Sequence, residues 1–165
     1  MTTTISPAIK GLITATVMII VTFGLFYGDI TPNSPLQYTP YIIYALGIVW
    51  TLVSYKQSDA YTGKFRDLFS QGFRCFIVVT LLMIGFMAIF LRMQPQFREE
   101  NAKAYREFLV NEKSKQLPEI EVEVEKYRTQ FNTSFISASI FGYLVIGAIV
   151  TAGSAAFITL TRRNQ

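Results

Sequence analysis

Four stretches of this chain run for fifteen residues or more without a charged side chain, and the charges crowd into the segments between them. That pattern constrains the fold more than any other feature. A helix rises ~1.5 Å per residue and the bilayer hydrocarbon is ~30 Å thick, so runs of this length match membrane spans. The first, residues 11–27, reads GLITATVMIIVTFGLFY between Lys10 and Asp29. Its basic flank is thin, and Gly28, Asp29 and Ile30 follow it without a small-x-small cleavage site. It therefore reads as an uncleaved first span rather than a signal peptide. The second run, residues 41–55, is entered through Pro40. It has Tyr38, Tyr41 and Tyr44 at one end, Tyr55 at the other, and Trp50 just inside that second end. Aromatic rings at both ends suit the two membrane interfaces. The third run, residues 75–91, lies between Arg74 and Arg92, and the fourth, residues 134–161, ends at Arg162 and Arg163. The expected fold is all-α: a single membrane domain over residues 1–165, built as an integral membrane four-helix bundle.

The connections carry their own patterns. Pro32, Asn33, Ser34 and Pro35 are turn chemistry between the first two spans. Before the third span, Phe65, Leu68, Phe69 and Phe73 fall at helical spacing in a basic segment, as in an interfacial helix. Residues 92–133 hold eight basic residues and eight glutamates. Phe97, Asn101, Tyr105, Phe108 and Leu109 trace one helical stripe there, and Ile120, Val124, Tyr127 and Phe131 trace another. The Lys115–Pro118 stretch interrupts them, and Pro118 suits a new helix start. IEVEVE also reads as an alternating strand, but the stripe continues past the alternation. An extramembrane helical hairpin between spans three and four is expected.

Chemistry is excluded more readily than assigned. The chain has no histidine and a single cysteine, Cys75, inside an apolar run. Histidine-based triads and intrachain disulfides are therefore ruled out. None of the apolar cores contains Asp, Glu, Lys, Arg or His, which argues against ion-coupled transport. Thr14, Thr22, Thr51, Thr80, Ser137 and Thr151 supply only hydroxyls, expected to bond helix carbonyls. The hairpin glutamates read as a solvated face, with Lys126 and Arg128 competing for any cation. A net charge of +4 without a basic, aromatic-studded soluble face excludes a nucleic-acid partner. No catalytic, cofactor-binding or metal-binding residue is assigned, and the chain is not expected to be an enzyme.

Two structural sets stand out. Gly147, Thr151 and Ala155 recur every fourth residue, as do Ala148, Ala152 and Ala156, with Gly142 further up the same helix. Small residues at that spacing let helices approach closely in lipid. Packing against the chain's own spans is favoured over a dimer face, and homo-oligomerisation stays open. Arg74 and Arg92 flank the third span, where long arginines reach headgroups, although a purely topological role for Arg74 is the simpler reading. Four spans put both termini on one side. Basic residues are nearly balanced between the sides, seven against eight, and the short connections favour cytoplasmic termini.

The early AIKGLI, then SYKQSDAYTGKFRDLFSQGFR before the third span, LRMQPQFREE at its exit, PEIEVEVEKYRTQF, and finally FGYLVIGAIVTAGSAAFI follow one another in a recurring order. In these the chain resembles, over nearly its whole length, the domain of unknown function family 4199, small membrane proteins of Bacteroidota. The resemblance implies a bacterial inner-membrane protein and carries no activity or catalytic residue. The expected role is a non-enzymatic scaffold or accessory subunit, embedded in the lipid bilayer and meeting a protein partner through residues 92–133. The alternative is a small oligomeric transporter or channel for a solute or lipid.

Overall fold

The computed structural model describes residues 5–28, 34–112 and 116–163, and these are helical apart from short connections. Helix α1 spans Pro7–Tyr27. Ser6 caps it by accepting the Ile9 N–H at 3.3 Å, and Pro7 occupies its first turn, where a missing N–H costs nothing. A 3-10 turn, Pro35–Tyr38, leads into α2, Thr39–Lys56. Gly63, at φ 85°, takes the left-handed conformation that turns the chain into α3, Phe65–Met93. Helix α4 is Pro95–Glu112 and α5 is Leu117–Arg163. Of these, α1, α2, α3 and α5 are long and apolar enough to cross a bilayer, and α4 lies between the third and fourth spans in the chain.

The helices are longer than the apolar runs that announce them. Helix α1 begins four residues before the charge-free stretch, so Lys10 belongs to the helix and not to its flank. The amphipathic segment and the third span form one helix of 29 residues. The second hairpin stripe and the fourth span likewise merge into a single helix of 47 residues. Pro118 sits in its opening turn, and no glycine or proline follows until Gly142, so nothing stops propagation. Pro32, Asn33, Lys113 and Lys115 lie outside the described residues.

The chain divides into two compact units, residues 1–83 with 141–165, and residues 84–140. In the first, each spanning helix contributes one glycine whose missing Cβ admits a neighbour. A Cβ at Gly47 would overlap the hydroxyl and methyl of Thr14, so α2 receives α1. One at Gly147 would overlap the Tyr44 hydroxyl and stand 2.8 Å from the Phe76 ring, so α5 receives α2 and α3. At Gly72 it would stand 2.5 Å from the Thr151 methyl, so α3 receives α5. At Gly11 it would stand 2.8 Å from the Cys75 carbonyl, so α1 receives the α3 backbone. Around these contacts Ala15, Met18, Ile48, Leu52, Val79, Met83 and Ala155 are fully buried.

The second unit is built on rings. Ala102, Leu109, Ile120 and Val124 form its buried apolar cluster. Tyr105 stacks on Tyr127 at 4.4 Å between centroids. Phe86, Phe90, Phe97, Phe131 and Phe135 continue the series, with centroid separations of 5.5 to 5.9 Å. Of the sequence stripes, Leu109, Ile120, Val124 and Phe131 face this interior, whereas Phe108 is 61% exposed. Arg106 pairs with Glu121 at 2.7 Å, and Arg128 bridges Glu99 at 3.0 Å and Glu125 at 2.8 Å. These pairs are partly exposed, and each contributes at most about 1 kcal/mol.

The glycine contacts make a graded prediction. Gly47→Ala and Gly147→Ala each destabilise the detergent-solubilised protein by about 1–3 kcal/mol, the usual cost of overpacking. Gly153→Ala and Gly142→Ala, where an added Cβ meets nothing within 4 Å, are neutral or slightly stabilising. Cys75 is fully buried and is the chain's one cysteine, so its rate of maleimide labelling on heating reports bundle opening in all four variants.

Candidate functional site

Polar side chains inside the first unit follow from where α1, α2, α3 and α5 turn their small residues. On α2, Tyr44, Gly47, Ile48, Thr51 and Leu52 form one buried face. Tyr44 was expected at the membrane interface with Tyr38 and Tyr41. Instead it is fully buried, because it shares the face of Gly47 and Thr51, while Tyr38 is 68% exposed. Its hydroxyl donates to the Tyr143 carbonyl at 3.0 Å and lies 3.5 Å from the Thr80 hydroxyl. In a helix, the side chain four residues on shields a carbonyl. Gly147 has none, which is how the phenol reaches that oxygen. Two turns along α2, Thr51 donates to its own Gly47 carbonyl at 2.9 Å and lies 3.3 Å from the Cys75 sulfur. Thr14 and Thr22 donate back to Lys10 and Met18, both at 2.8 Å. Thr151 breaks the pattern: fully buried in the Gly72 notch, its hydroxyl has no hydrogen-bond partner among the described residues.

At the end of the unit where α1 begins, α2 ends and α3 begins, Lys10 is 4% exposed. Its ammonium lies 5.5 Å from the centre of the Trp50 ring. It lines a partly open cavity of about 60 Å³ with Ile5, Ser6, Pro7, Thr51, Tyr55 and Gln71. No carboxylate among the described residues pairs with it. The lining is rich in donors, with one cation and the capped start of a helix on the same side. Reading Lys10 as the boundary of an apolar run missed this site. The available signal was Ser6-Pro7, a cap and first-turn pair that starts the helix early enough to carry Lys10 inward.

The small-residue set of α5 divides by face. Gly147, Thr151 and Ala155 are buried with Tyr143 and Ile158, while Ala148 and Ala152 are half-buried. Gly142 is half-buried, with open space where its Cβ would stand. Arg74 and Arg92 are both exposed, far apart along α3. The hairpin glutamates Glu99, Glu121 and Glu125 are engaged by arginines.

The order of these elements matches a family model described as a protein of unknown function, DUF4199, over residues 10–159. The chain belongs to that family. No curated protein and no solved structure matches it. The DUF4199 match takes in the whole of α2, α3 and α4 and most of α1 and α5.

Two of the buried threonines, Thr51 and Thr151, should respond oppositely to loss of the hydroxyl. Thr51→Val removes the bonds to Gly47 and Cys75 and lowers stability by about 1 kcal/mol. Thr151→Val removes a buried hydroxyl that has no partner among the described residues and raises stability by a similar ~1 kcal/mol. Thermal midpoints in detergent, with Cys75 labelling as a second readout, check both signs.

Proposed function

We propose that this DUF4199 protein is a non-enzymatic scaffold or accessory subunit of the bacterial inner membrane, with cytoplasmic termini, whose segment 92–133 meets a protein partner. The observation that carries this reading is on the second unit. Its hairpin completes its own core with Ala102, Leu109, Ile120 and Val124, yet Phe108, Leu117 and Val122 remain 61%, 61% and 72% exposed. Large apolar side chains left outward among charged ones can serve as the anchors of a protein interface, with the charges as its rim. The interlocked interior of the first unit agrees with it, since side chains seated against glycines fill the space that a passage would need.

Lysine-directed crosslinking in native membranes, read by mass spectrometry, tests the proposal. Lys103 and Lys126 are expected to join one reproducible protein, and Phe108→Asp with Val122→Asp is expected to abolish that crosslink while leaving Cys75 protected. Self-crosslinks alone would overturn the accessory role and favour the oligomeric transporter or channel, which solute-flux assays in proteoliposomes would then examine. A fluorescent protein fused after Gln165 is expected to report the cytoplasmic side.

A further inference from the structure

We infer that the Lys10 cavity binds a phosphate oxyanion at the end of the bundle. Three physical facts bear on it, and all have the same sign. Lys10 is buried, at 4% exposure, with no carboxylate among the described residues beside it. A buried cation without a counter-charge is costly, and the Trp50 face offsets only part of that cost. Lys10 also stands in the first turn of α1, which contains no acidic residue. The start of a helix carries the positive end of its dipole, so a cation there is repelled and an anion is drawn in. Finally, the cavity these groups share is roomy. At about 60 Å³ it exceeds the ~10–15 Å³ that one water needs on this measure.

The donor set suits a tetrahedral oxyanion. The Lys10 ammonium offers three N–H groups, the Gln71 amide two, and the Ser6 hydroxyl one, its oxygen already accepting from Ile9. Thr51 and Tyr55 direct their hydroxyl protons elsewhere, to Gly47 and Ala60, and so act as walls. Basic pockets between spanning helices at the membrane surface take phospholipid headgroups by this chemistry, and free phosphate presents the same oxygens. The site is independent of the hairpin reading above, and neither stands or falls with the other.

Trp50 is the only tryptophan in the chain and lies against Lys10, so its fluorescence reports the site directly. The full-length protein, delipidated in neutral detergent, is titrated with inorganic phosphate and, separately, with short-chain phosphatidylglycerol. Short-chain phosphatidylcholine is the phosphodiester probe without net charge. A saturable change in Trp50 emission is expected, weakened about tenfold or more in Lys10→Gln and largely kept in Lys10→Arg, with Arg92→Gln unchanged. A response to inorganic phosphate identifies a soluble oxyanion. A response to the phospholipids alone identifies the headgroup. A second measurement guards against misfolding: Lys10→Met should raise the thermal midpoint of the delipidated protein, because it removes an uncompensated charge. If neither ligand shifts Trp50, or Lys10→Gln binds as the parent does, or Lys10→Met lowers the midpoint as loss of a purely structural cation–π contact would, the inference is overturned.

Discussion

The seating of one helix against the bare backbone of the next is the constraint on which the first unit depends. Between helices in lipid there is no hydrophobic gain to be had, since the acyl chains are as apolar as leucine. Association must come from close packing and from polar bonds that close packing permits. Here the glycines supply both. Gly47 admits Thr14, and Gly147 admits the Tyr44 phenol, which then finds the Tyr143 carbonyl. Gly72 admits Thr151, and Gly11 lies against the Cys75 carbonyl. The four contacts join the helices in a closed cycle, α1 to α2, α2 to α5, α5 to α3 and α3 to α1, so none can rotate without disturbing a neighbour.

The second unit works by different physics. No glycine occurs between Gly85 and Gly142. Instead, facing helices are held apart at ring width by Tyr105 on Tyr127 and by the phenylalanines around Phe97. Aromatic pairs add ~0.5–1.5 kcal/mol beyond the apolar area they bury, and area burial is favourable only against water. Ion pairs along the hairpin's flank belong to the same logic. Ring pairs such as Tyr44 on Tyr143 occur in the first unit too, but the close glycine contacts are all there, even though α3 and α5 contribute residues to both units.

The four spans and the hairpin were readable because apolar runs and helical stripes are local signals. Gly147, Thr151 and Ala155 were readable for the same reason, since spacing of four marks one face of one helix. Their counterparts Gly11, Gly47 and Gly72 were not, because each is a single glycine whose role lies in what another helix brings to it. Tyr44 was misplaced because aromatic residues near a span's end usually sit at the interface, and only the fold shows which face Gly47 turns inward. The helices run past the apolar runs because charge content marks where lipid ends and not where hydrogen bonding ends. Lys10 was lost to that same confusion, and with it the cavity.

The lysine's position follows from the glycine beside it. Gly11 fixes α1 against α3 through the Cys75 carbonyl, which sets the rotation of the helix and leaves the preceding residue facing Thr51 and Gln71. There the Lys10 ammonium lies 5.5 Å from the centre of the Trp50 ring and lines the cavity. Deeper in the bundle the same face is filled by Thr14 against Gly47 and by Thr51 beside Cys75. An oxyanion held at Lys10 therefore meets packed side chains and a carbonyl rather than a continuing path. Such a socket suits holding a ligand at the membrane surface, and passage through the bundle would require the glycine contacts to open.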